Sequence, residues 1–174
     1  MSPFFPFSGY GQLAPIIVFY YNEMKRMCGQ PVEQVPVKIK GKTEIHDGSS
    51  KDTFEFTAFG RYYIKGNARF LQYNEEMEEG IVKTIIKMTD QDGLILRSGA
   101  VKMRLPFKLN SELRGSYDTP YGVFELITLT KTLTHQLDEQ TSMGSIELLY
   151  DLNMQGAYAG TYHLSITFKE EEEK

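Results

Sequence analysis

The chain holds little of what usually signals chemistry. A single cysteine, Cys28, stands among 174 residues, so no internal disulfide can form, and its neighbours supply no zinc-ligand spacing. The only histidines are His46, His135 and His163; they fall in a turn, a loop and a strand pattern, with no pair at ligand spacing, so no metal and no cofactor is expected. Long hydrophobic runs are missing too. The most apolar stretch, "LAPIIVFYY" at residues 13–21, is well short of the roughly 20 residues of a spanning helix. The first basic residues, Lys25 and Arg26, follow that stretch instead of preceding it, the reverse of a secretory signal. With no membrane span and no export signal, a cytoplasmic setting is the expectation. Excess positive charge is also lacking: the formal net charge of −4 disfavours a general nucleic-acid binder, which needs lysines and arginines to displace phosphate counterions.

Strand-forming residues are plentiful. Eleven Phe and eleven Tyr with no Trp, in a chain that is 41% hydrophobic and 24% charged, favour pleated surfaces on which flat rings pack. Residues 1–34 differ from the rest, with Pro-Phe clusters and one charge, Glu23, in the first 23 positions; they read as a leader, disordered or arising from a misplaced start. From Val35 the chain becomes a series of alternating segments. "VKIK", "DTFEFTAF", "ARFLQYNEE", "IVKTIIKM", "VKMRLPF", "SELRGSY", "VFELITLTKTLT", "SIELLYDLNM" and "YAGTYHLSITF" each suggest a strand, and turn clusters such as "HDGSS", "KGN", "DQDG" and "DTPYG" separate them. The acidic "EEMEEG" reads as a further turn, Gly60 as a bulge or bend, and "LTHQLDEQ" as the one candidate helical turn. Strands joined by tight turns without a crossover helix specify an antiparallel meander, and closure into a barrel of about eight to ten strands leaves no open edge. The expected organisation is a leader over 1–34, an all-β barrel over 35–169 and an acidic tail over 170–174.

No arrangement of residues names a reaction. His135 and Asp138 lack a serine in a strained turn to activate, and "GAYAG" at residues 156–160 lies between strands, away from any helix start that would hold phosphate. The lysines Lys38, Lys40, Lys42, Lys83, Lys87 and Lys102, with Arg104, occupy polar phases of strands, where they oppose edge-to-edge association or form an outer wall for an anionic partner. Arg97 is different. Its phase matches Val101 and Met103, which puts a guanidinium on an apolar side, either as a structural partner of Glu125 or Asp151 or as a ligand contact at a barrel mouth. Arg61 shares that ambiguity, and Tyr63, Tyr150 and Tyr162 lie in or near apolar phases with hydroxyls that need partners.

The segments "FGRYYIKGNARFLQYNEEM", "VKTIIKM", "LRSGAVKMRLPF", "YDTPYGVFELITLTKTL" and "IELLYDLN", in that order, resemble the YwiB-like family of bacterial β-barrel proteins over about residues 36–169. The resemblance implies a lipocalin-like (calycin) barrel of the eight-stranded type in a bacterial cytoplasm, and it implies no activity. The favoured reading is a non-catalytic module that binds a small amphipathic or hydrophobic ligand through Arg97, Arg61, Tyr63, Tyr150 and Tyr162. The alternative is a filled barrel that docks a protein or nucleic-acid partner on its lysine-bearing wall. No catalytic residue is assigned, and the oligomeric state is not indicated.

Overall fold

The computed structural model describes residues 32–172; the expectations placed on residues 1–31, on Cys28 and on the last two residues lie outside the described residues. Ten strands follow one another: β1 (Val35–Asp47), β2 (Ser50–Lys65), β3 (Ala68–Met77), β4 (Gly80–Met88), β5 (Asp92–Gly99), β6 (Lys102–Lys108), β7 (Glu112–Thr119), β8 (Gly122–Asp138), β9 (Met143–Met154) and β10 (Ala157–Glu170). Each pairs antiparallel with its sequence neighbours, and β1 pairs with β10 to close the barrel. Closure removes the two free edges that an open meander of this size would present.

The period of two decides which side chains fill the barrel. Ile39, Leu71, Ile86, Phe107, Leu126, Leu148 and Ile166 are almost wholly buried and come from seven different strands, so the apolar phases of the sequence meet in one core. Aromatic rings fill its width. Phe107 meets Tyr150 edge-on at 4.8 Å, Tyr150 stacks on Tyr162 at 5.4 Å, and Tyr62 stacks on Phe168 at 4.9 Å.

Several sequence expectations give way to pairing geometry. The stretch around "LTHQLDEQ" is no helical turn: β8 runs through it to Asp138, paired with β9 from Thr132↔Leu149 to Asp138↔Met143. A bulge between Thr130 and Thr132 breaks the alternation there and hides the strand. Gly60 does not bend β2. The β1–β2 register continues through Val37↔Gly60 and Pro36↔Arg61 without a shift, so Phe54, Phe56, Ala58, Gly60 and Tyr62 share the inward phase while Phe59, Arg61 and Tyr63 face outward. Tyr158 leaves the apolar phase because of the register shift between Tyr158 and Gly160, and it is exposed. The acidic turn is shorter than its composition suggests, since β3 continues through Glu75 to Met77.

One seam in the barrel wall stays partly open. β2 and β3 pair only from Gly60↔Tyr73 to Lys65↔Ala68. Beyond that point, Ser50–Phe59 and Asn74–Met77 have no strand partner across the seam among the described residues.

Candidate functional site

The β4–β5–β6 register brings Arg97 to the barrel interior near one mouth. Thr84 opposes Arg97 and Met103 opposes it on the other side, and directly paired residues point to one face. The side chain finds an acid there: Arg97 Nη2 donates to Glu75 Oε2 at 2.9 Å, and the Thr84 hydroxyl donates to the same oxygen at 3.1 Å. Glu75, not Glu125 or Asp151, is therefore the partner. Those two acids hold other cations, Arg114 at 3.3 Å and Lys131 at 2.8 Å respectively. Arg97 Nε is buried without a hydrogen-bond partner, so the guanidinium is only partly satisfied.

Tyr73, Tyr150 and Tyr162 lie on the same inward face. Burial pushes the Tyr73 phenol up, reinforced by the Glu75 carboxylate; burial does the same for Tyr150, with Tyr162 adding to it, and for Tyr162, with Asp47 adding. All three stay neutral across the physiological range. They pack the barrel as neutral phenols.

At the opposite end, Arg69 of β3 reaches across to His135 of β8, its Nη1 donating to Nε2 at 3.2 Å, while Asp90 lies 3.8 Å from Arg69 and 3.5 Å from His135. The space beneath this cluster is about 10 Å³, room for at most one water. His163 faces outward and bonds Glu147 at 2.7 Å. Among the described residues no three of His, Cys, Asp and Glu gather as a metal site.

A larger space lies at the open seam. A cleft of about 590 Å³ is bounded by Pro36, Val37, Phe59, Gly60, Arg61, Gln72, Tyr73, Asn74, Glu171 and Glu172. Gly60 is needed where β2 meets β3 beside it: a Cβ there would lie 2.2 Å from the Gln72 carbonyl oxygen and 2.8 Å from Ile39. Phe59, 67% exposed, forms one wall, and Arg61 stands at the rim. Of the ligand contacts expected from the sequence, Arg61 alone lines this cleft. Tyr63 stacks outward on Phe70 at 4.9 Å, and Arg97, Tyr150 and Tyr162 face the interior. The sequence reads Gly60 as a bulge or bend and gives Phe59 no role, because only the unbroken β2 register places them at the cleft.

These features define a closed up-and-down β-barrel with a side cleft and an internally paired arginine. Residues 37–166 match the family described as a domain of unknown function, DUF1934, and the chain belongs to that family. It is 34% identical over 137 residues to the uncharacterized beta-barrel protein YwiB of Bacillus subtilis (strain 168), spanning 79% of this chain and 95% of that protein. The crystal structure of YwiB from Bacillus subtilis superposes with a TM-score of 0.72 at 32% identity, over 81% of this chain and 96% of that one. The similarity read from the sequence is thus shown at the level of family and barrel. Among the described residues no helix is long and apolar enough to cross a membrane.

Proposed function

We propose that this chain is a non-catalytic cytoplasmic protein that binds a small amphipathic ligand, and that the ligand sits in the β2–β3 cleft and not inside the barrel. The observation that carries the reading is the cleft itself. Its volume of about 590 Å³ falls in the range of about 300–1,000 Å³ typical of small-molecule sites, whereas aromatic rings fill the barrel interior. An acyl or aromatic body would lie on Phe59 and the bare Gly60 backbone, and an anionic end would meet Arg61. Glu171 and Glu172 line the other side and repel an anion, which orients the ligand toward Arg61. In this reading Tyr150 and Tyr162 serve packing, and Arg97 serves its ion pair with Glu75.

Titration with a dansyl-labelled fatty acid tests it. Saturable binding is expected, weakened about tenfold by Arg61→Met, the ratio that roughly 1.4 kcal/mol produces, and weakened likewise by Phe59→Ser. Truncation after Glu170 is expected to strengthen binding by removing like charge. Absence of saturable binding, or a loss caused by Tyr150→Phe in place of Arg61→Met, overturns the reading.

A further inference from the structure

The lysines that alternate along the sequence are spread around a closed barrel, so most never meet. Lys83 and Lys87 leave β4, and Lys102 leaves β6, on other parts of the wall. One group does converge. The register sets Lys38 between Phe59 of β2 and Lys169 of β10, and Lys40 between Thr57 and Thr167. Lys38, Lys40 and Lys169 form no ion pair among the described residues. Lys42, next along β1, is held by Glu44 at 2.8 Å. The patch therefore carries three uncompensated cations on a chain whose net charge is −4.

An aromatic surface adjoins these cations. Lys38 Nζ lies 5.6 Å from the centroid of the Phe59 ring, and that ring is 67% exposed. Two shallow cavities, of about 310 Å³ and 520 Å³, share Lys40 and Thr167 in their linings, so they form one track across β10, β1 and β2. Its far end holds Glu55, opposite Lys42, so the cationic part of the track is the stretch from Lys169 and Lys38 to Lys40. Lys38 and Lys40 stand about 6.8 Å apart along the strand, two residues at about 3.4 Å each. Cations repeated along a track, with hydroxyls between them and an exposed ring at one edge, suit a chain of phosphates bearing stackable bases. An acidic peptide would use the cations and leave the exposed ring without a role.

We propose that the outer face of β10, β1 and β2 binds single-stranded nucleic acid, with Lys38, Lys40 and Lys169 on the phosphates and Phe59 stacking on a base. The face meets the side cleft at Phe59, but it uses different charges and stands independently of the ligand reading. Fluorescence anisotropy of a labelled oligothymidylate with the full chain tests it. Binding is expected at low salt, with log K falling against log salt at a slope of about −2, since three neutralised phosphates contribute about −0.7 each on a single strand. The charge reversals Lys38→Glu and Lys40→Glu are each expected to weaken binding at least tenfold. Lys40→Gln is expected to weaken it severalfold and flatten the salt slope, and Phe59→Ala to weaken it severalfold with the slope unchanged. Lys83→Glu and Lys87→Glu alter the net charge equally on another wall and are expected to have less than a twofold effect. No binding at low salt, an equal loss from the Lys83 and Lys87 variants, or equally tight binding of a polyglutamate peptide each overturns the proposal.

Discussion

Arg97 and Glu75 are 22 residues apart in sequence and meet only because two hairpins stack their registers. Their side chains are 21% and 22% exposed, so the pair is neither dry nor fully solvated. Removing one partner from a buried pair costs about 3–5 kcal/mol, and the solvent access here reduces the expected loss for Arg97→Met to about 2 kcal/mol. Glu75→Gln combined with Arg97→Met is expected to cost less than the sum of the single changes, because each single change strands a charge that the double change does not. A urea-melt double-mutant cycle with no coupling would show that the pair contributes nothing. Tyr62 behaves oppositely. Its hydroxyl is buried without a well-formed hydrogen bond, with the Arg69 guanidinium beside it, so Tyr62→Phe is expected to change stability by no more than about 1 kcal/mol in either direction. A loss above that in the same melts would reveal a partner for the hydroxyl. The inward aim of Arg97 was legible from its phase with Met103. Its partner was not, since Glu75 reads as part of an acidic turn until the β3–β4 register carries it inward.

Within the strands, legibility followed the regularity of pairing. β4 and β9 hold one phase from end to end, and their buried residues, Val82 to Met88 and Ile146 to Leu152, coincide with the alternation in the sequence. β8 and β10 carry register shifts; there period-two counting reads a helical turn into β8, and it would set Tyr158 in phase with Tyr162, Leu164, Ile166 and Phe168, although Tyr158 is exposed. A bulge sets two residues against one partner, which no period-two count can see. The physical role of the β8 bulge can be tested by deletion. Thr130 faces Tyr150 and Leu133 faces Leu148, while Lys131 and Thr132 together span Leu149. Deleting Lys131 therefore leaves Thr130 and Leu133 on the inward face, and the expected cost is about 1 kcal/mol, from lost local twist and the lost 2.8 Å contact with Asp151. Deleting Ile127, inside the regular stretch, turns one side of the strand over so that buried residues face solvent, and is expected to abolish cooperative thermal unfolding. Equal tolerance of both deletions would mean that the β8 register is not fixed by the core.

For the whole molecule, burying several tyrosines in one barrel makes their protonation a stability term. Tyr73 and Tyr150 hold phenols whose ionisation burial strongly opposes, and Tyr62 and Tyr162 are raised in the same direction by burial. A phenol with a raised folded pKa is protonated in the barrel at a pH where the unfolded chain has released that proton. The folded state then binds more protons, and stability must fall as pH rises past the unfolded value of about 10. Below that value both states are protonated, and the tyrosines contribute no pH dependence. Above it, Tyr73 and Tyr150 are each expected to remove about 1.4 kcal/mol per pH unit. The midpoint of urea unfolding should therefore be level for these groups from pH 7 to 9 and drop between pH 10 and 11. Lysines titrate in the same window, so the tyrosine contribution is isolated by comparison: Tyr150→Phe should shallow the fall above pH 10 while leaving the plateau below it parallel. The phenol absorbance of Tyr73 and Tyr150 should likewise develop only with unfolding, because burial opposes their ionisation in the folded chain. A single smooth titration of all the tyrosines in the folded state, or a Tyr150→Phe variant with an unchanged alkaline slope, would mean that water reaches the barrel interior and that the aromatic stack does not seal it.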